Sequence, residues 1–168
     1  MIRESRPDEQ ALVGELRVTA YGATGLLSES SGYAETLRGF GFDGDCVVLV
    51  AAGDAAAGQY RGILGTVVLE PFGPHSELAR DESEADVRAF AVDPRAQGQG
   101  VGRALLQAVI AYAAKRGVRT LRLCTQPAMT TAQRLYAAAG FQRTPDFDFE
   151  PVPGLTLRAY ALDLPPDA

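Results

Sequence analysis

One histidine, two cysteines and no long apolar run are all this sequence holds of three chemically informative features, and each shortage removes a class of function. A single imidazole, His75, cannot build a Ser-His-Asp or Cys-His site unless its loop reaches the reacting centre; following Gly73-Pro74, it reads as a solvated turn residue. Cys46 and Cys124 are far apart and match no zinc-ligand spacing, so no metal is expected. Both lie inside apolar runs and read as buried, reduced thiols, which suits a cytoplasmic protein. No window approaches the roughly 18 apolar residues of a membrane span, and residues 1–6 hold no signal-peptide stretch, so no membrane partner is expected. Basic residues are scarce as well. A net charge of −5 has the wrong sign for neutralising phosphates along a nucleic acid, so no nucleic-acid partner is expected either.

What is present reads as one domain over residues 1–168, with 46% hydrophobic and 22% charged residues, enough to bury about 70% of the unfolded chain's surface. Helical spacing runs from Pro7-Asp8-Glu9 through Leu12, Leu16 and Ala20, then a Gly/Ser-rich break covers 22–32 and a short helix 33–40. Apolar runs at 46–52 and 61–69 read as antiparallel strands joined by a turn at 53–58. After a polar loop, 86–92 alternates, with Asp86, Arg88, Phe90 and Val92 on one face and Val87, Ala89 and Ala91 on the other. A long helix reaches Gly117, a short strand spans 120–124, a second amphipathic helix covers 128–139 with Gly140 as its cap, and strands at 141–147 and 156–164 close the chain. The order β-α-α-β-β-β-α-β-α-β-β predicts a mixed α/β (α+β) sheet.

The stretch that carries chemistry is Val92-Asp93-Pro94-Arg95-Ala96-Gln97-Gly98-Gln99-Gly100-Val101-Gly102-Arg103, between a strand and a long helix. Alternate glycines let backbone N–H groups converge on one concavity, and the following helix N-terminus adds positive potential, so the natural guest is a pyrophosphate. The loop has no Lys, which removes a Walker loop. Arg103 stands where a dinucleotide-binding fingerprint needs its third Gly, and Thr125-Gln126 where it needs an acid.

The segment Gln97-Gly98-Gln99-Gly100-Val101-Gly102, preceded by Ala91-Val92-Asp93-Pro94, resembles the signature of the GCN5-related N-acetyltransferases (GNAT), and Leu135-Tyr136-Ala137-Ala138-Ala139-Gly140-Phe141 resembles their second motif. The resemblance implies a mostly antiparallel sheet splayed after its fourth strand and an acyl-CoA N-acyltransferase using acetyl-CoA. Gln97, Gly98, Gln99, Gly100, Val101, Gly102 and Arg103 would hold the pyrophosphate, with pantetheine along Phe90, Ala91 and Val92. The Val92 N–H would meet the thioester carbonyl as an oxyanion donor. Tyr136 would contact the cofactor and give a proton to the departing thiolate; its alternative reading is an aromatic core residue. An alkyl amine is mostly protonated at neutral pH, so a base is needed. Asp86 is the candidate and Glu84 the reserve, against the reading of Asp86 as an exposed carboxylate paired with Arg88. Where many members carry an Asn, this chain has Met129, whose contact Thr130 or Thr131 would replace.

The acceptor implied is an amine-bearing small molecule or peptide, and family members are often homodimers. Two segments could bind the acceptor: 21–42, with Tyr33, and the acidic-aromatic run Asp146-Phe147-Asp148-Phe149-Glu150, with Asp146 and Asp148. The last run reads equally as a solvated hairpin turn. A non-catalytic acyl-CoA-binding module is the alternative function, and a nicotinamide-dependent oxidoreductase a more distant one.

Overall fold

Valine-rich runs and glycine-ended helices dictate most of the observed elements. The structure, a computed structural model, describes residues 1–23, 32–53 and 62–166, so most of the expected break at 22–32 and the turn at 53–58 lie outside the described residues. The described elements fall into two compact units, Met1–Leu69 with Arg88–Val109, and Glu70–Val87 with Ile110–Ala168.

In the first unit, β1 (Ile2–Glu4) lies antiparallel to β2 (Val47–Ala52), and β2 lies antiparallel to β3 (Ile63–Pro71) from Val47↔Leu69 to Ala52↔Ile63. Helices α1 (Gln10–Ala23) and α2 (Tyr33–Gly39) occupy the segments whose spacing predicts them. Val13, Leu16 and Ala20 of α1 pack with Val48, Val50, Ile63, Val68 and Ala91 into one core. Each Val, Leu or Ile side chain so buried contributes about 1.5–3 kcal/mol. Gly65 of β3 lies under the start of α3 (Val101–Lys115): a methyl there would meet Leu105 Cδ1 at 2.7 Å and Val101 Cγ1 at 3.0 Å. Arg17 is wholly buried, and Nη1 donates to the Leu37 and Phe40 carbonyls at 2.9 and 2.7 Å, tying α1 to the end of α2.

The start of β4 (Glu84–Val92) belongs to the second unit and runs parallel to β5 (Thr120–Thr125) over Glu84–Asp86. Strand β8 (Leu155–Asp163) then pairs antiparallel along the whole of β5. Helix α4 (Thr130–Ala138) stands between β5 and β8 in sequence. Among the described residues the sum is a mixed α/β fold with four helices and eight strands, mostly antiparallel.

The end of the chain differs from expectation. A single strand at 141–147 is predicted, but β6 (Gln142–Arg143) is only a stub, Pro145–Phe147 is a 3-10 turn, and a further strand, β7 (Phe149–Val152), forms a hairpin with β8. Pro145 has no N–H for a ladder, which ends β6, and Pro151 falls in the register break of β7 between Phe149 and Val152. The thiols also differ. Cys46 and Cys124 are half-buried rather than buried, and no disulfide joins them.

Candidate active site

The glycine loop is assembled by local rules. Asp93 caps a 3-10 turn, Pro94–Ala96, its carboxylate accepting the Arg95 N–H at 2.8 Å and the guanidinium at 2.8 and 3.1 Å. That guanidinium holds the Asp93 carboxyl below the usual carboxylate range. Ala96 is buried and anchors the turn, and from Gln97 to Gly100 the chain is exposed. Gly98 and Gly100 adopt φ of +78° and +81°, which L residues with a side chain rarely take. A Cβ on either would have nothing within 4 Å, so the space above the backbone is open. The Gly100 carbonyl accepts the Ala104 N–H at 3.0 Å, so α3 begins here. The N–H groups of Val101, Gly102 and Arg103 precede Ala104, the first intrahelical donor, and so are available to an anion, with the dipole's positive end behind them.

Strand β4 departs from the alternation read in the sequence. Ala89 has φ of +48°, a left-handed residue inside a strand, and residues on either side of it no longer face as counting by twos predicts. Asp86 is 0% exposed, whereas Val92, beyond Ala89, is half-buried. Asp86 is thus not an exposed carboxylate. Its oxygens accept the N–H groups of Glu77, Leu78 and Ala79 at 3.1, 3.0 and 2.9 Å. Arg88 lies over the Phe40 ring at 4.6 Å. Glu84, the reserve, is held by Arg122 in a two-pronged ion pair at 3.0 and 2.6 Å.

Tyr136 is placed by the way α4 ends. Gly140, at φ +100°, lets the Phe141 N–H reach the Tyr136 carbonyl at 3.0 Å and its own N–H reach Ala137 at 3.1 Å, the paired bonds of a Schellman terminus. The accompanying apolar contact is Tyr136 on Phe141, ring centroids 6.0 Å apart, and Tyr160 lies at the same distance on another side. The seven-residue motif thus has a complete structural account in helix termination. The Tyr136 side chain is 4% exposed, and burial, with smaller contributions from Cys124 and Tyr160, pushes its phenol above the usual range. Cys124, near the end of β5, donates its S–H to Glu77 Oε1 at 3.0 Å. Sequence reading missed Glu77, because nothing in the polar loop marks it.

The sequence model described as "Acetyltransferase (GNAT) family" matches residues 19–141, which include both motifs. The chain belongs to the GNAT acetyltransferase family. A mycothiol acetyltransferase of Cellulomonas flavigena is 39% identical over 87 residues, 52% of this chain but 25% of that protein. A ribosomal protein bS18-alanine N-acetyltransferase of Escherichia coli is 47% identical over 58 residues, 34% of this chain and 39% of that protein. The chain thus spans well under half of either curated relative. A GNAT acetyltransferase from Staphylococcus aureus superposes with a TM-score of 0.74 at 18% identity, covering 98% of this chain and 99% of that one. A ribosomal-protein-alanine N-acetyltransferase from Brucella melitensis reaches 0.73 at 20% identity, covering 98% and 99%; both show the fold.

Against this GNAT frame, the segments read as acceptor-binding are partly engaged elsewhere. Asp148 accepts the Arg143 guanidinium at 2.8 and 2.7 Å and the Ala159 N–H at 2.8 Å, so its carboxylate serves the hairpin. Phe147 lies under two guanidinium groups, Arg122 at 4.0 Å and Arg80 at 4.7 Å. Asp146 is exposed. Tyr33 is 45% exposed and meets Tyr21 edge-on at 6.4 Å. Met129 occupies the N-cap of α4, where its thioether gives no cap hydrogen bond, and Thr130 and Thr131 are exposed beside it. His75 is exposed, and no group of three or more His, Cys, Asp or Glu poised for a metal occurs among the described residues. No helix among them is long and apolar enough to cross a membrane.

Proposed function

We propose that this chain is an acetyl-CoA-dependent N-acetyltransferase, a single acyl-CoA N-acyltransferase domain that acetylates a primary amine of a small molecule or peptide by direct attack. The observation that carries the reading is the loop Gln97–Gly102, with left-handed Gly98 and Gly100, open space above them and the N-terminus of α3 behind. These features fit a pyrophosphate: convergent amides, no side chain in the way, and the exposed Arg103 at the rim. Acetyl-CoA, when bound, supplies an activated acyl carbon as a thioester.

Each part of the chain then has a defined task. Backbone amides of residues 97–102 fix the pyrophosphate, and Phe90–Val92 line the pantetheine. The Val92 N–H stabilises charge developing on the carbonyl oxygen, an interaction of the kind worth about 2.7–4 kcal/mol. Tyr136, kept protonated by burial, donates a hydrogen bond and then its proton to the departing sulfur. Relatives named for a ribosomal-protein alanine and for mycothiol support an acceptor of peptide or small-molecule origin. Two cysteines and no disulfide framework suit a cytoplasmic setting.

The test is thiol release from acetyl-CoA across a panel of primary amines and N-terminal peptides, alongside a thermal shift with acetyl-CoA alone. The expected result is stabilisation by acetyl-CoA together with amine-dependent thiol release. Stabilisation without release from any amine would make the chain a binding module of the same fold.

A further inference from the structure

A charged group removed from water is normally met by acceptors for the N–H groups it carries. Arg17 departs from that rule. Its side chain is 0% exposed, Nη1 donates to the Leu37 and Phe40 carbonyls, and Nε and Nη2 meet no acceptor. No carboxylate among the described residues pairs with it, and burial pushes its pKa down to about 10. The pattern of the shortfall is specific. Nε and Nη2 form one edge of the guanidinium, an edge that receives both oxygens of a carboxylate in parallel hydrogen bonds. The two carbonyls orient the plane and leave that fork whole. It belongs to the unit that carries the glycine loop. Phe40, whose carbonyl Arg17 holds, bears the Arg88 guanidinium on its ring at 4.6 Å, and Arg88 precedes Val92 on β4. Phe42 lies against Arg17 itself, with the ring centre 5.3 Å from the guanidinium carbon.

We propose that Arg17 binds the acceptor, its Nε–Nη2 edge taking a carboxylate carried by the amine substrate. The inference rests on the reading that the chain is an N-acetyltransferase. Two nitrogens on one edge match the two oxygens of a carboxylate. A phosphate brings further oxygens, and the other unpartnered buried side-chain atoms among the described residues, Arg3 Nε and Thr144 Oγ1, lie in other elements. Binding supplies the buried cation with the counter-charge it lacks. Phe40 and Phe42 are only half-buried, and rotation of these rings admits the ligand to the fork. With its carboxylate held there, the acceptor is fixed at one end within the unit that contains Val92, and its amine is left free to reach the thioester.

Two experiments test this. In the first, wild-type kcat/KM is measured for amino acids of increasing separation between amine and carboxylate, each beside its amide. At the best length the acid should exceed the amide about 100-fold, most of it in KM. Arg17→Lys keeps a charge but lacks the fork, and should shrink that ratio about tenfold. The second experiment needs neither acetyl-CoA nor activity. The Nε–H resonance of Arg17, assigned through its side-chain correlations in wild-type protein with isotope-labelled arginine, is titrated with propionate, propionamide and inorganic phosphate. Propionate should shift it saturably, and propionamide should leave it in place. Acids and amides acetylated alike overturn the proposal, as does an unchanged ratio in Arg17→Lys. So does a resonance that propionate leaves unmoved, or that phosphate moves more strongly. A wild type that acetylates no amine overturns the transferase reading instead, and the titration still decides whether Arg17 holds a carboxylate.

Discussion

The loop Gln97–Gly102 and the ring cluster Tyr136–Phe141–Tyr160 are built from opposite materials. The loop contributes backbone: amides, two left-handed glycines and exposed, open space. The cluster contributes side chains: the buried Tyr136 phenol, packed on the Phe141 and Tyr160 rings. Backbone amides cannot change protonation near neutral pH, so the loop is suited to holding charge and unsuited to moving protons. The cluster has the converse abilities. Under the proposed function, binding and proton transfer fall to different stretches of chain, and substitutions should separate them.

Tyr136→Phe gives the largest effect. Loss of a hydrogen bond to developing charge, about 1.5–3 kcal/mol, should cut kcat by about 10- to 100-fold and leave acetyl-CoA affinity unchanged by calorimetry. Gly100→Val should do the reverse. Left-handed backbone costs a β-branched residue about 1–2 kcal/mol, so acetyl-CoA affinity should fall about 5- to 30-fold. If the two variants weaken the same quantity, the division fails. Gly140→Ala sharpens it from the side of stability: at φ +100° the methyl should cost about 1 kcal/mol, read as a lower denaturation midpoint. Smallest is the acid response of the hairpin. Hydrogen bonding to Arg143, with the Ala159 N–H, holds the Asp148 carboxyl at about 2. A depressed carboxyl stabilises the fold above its unfolded value near 3.9 and loses that contribution as pH falls toward 2. Asp148→Asn should remove that part of the acid sensitivity, and an unaltered acid unfolding curve would assign it elsewhere.

These contrasts also explain what could be read from the residues. The glycine loop was legible because positive φ is a local demand that Gly98 and Gly100 meet by themselves. The placement of Tyr136 was legible for the same reason, since a Schellman end is written within six residues. The burial of Asp86 was not legible because the three loop amides that it accepts are brought to it by the folded loop and carry no mark in the strand's alternation. Glu77 was invisible because its partner Cys124 is 47 residues away and its own position depends on three amides gathered by Asp86. The strands after α4 were misread where pairing with β8 decides the outcome, and the acids there proved to be partly spent on Arg143 and the hairpin backbone.

Gly65 sets a tolerance for the first of these regions. With Leu105 and Val101 so close above it, the missing methyl on β3 is a spacer of zero thickness that lets the opening turn of α3 rest against the strand. The loop's amides are continuous with that turn, so their height above the sheet is fixed by an atom that is absent. A strand position thereby works as a shim for the backbone proposed to hold the pyrophosphate.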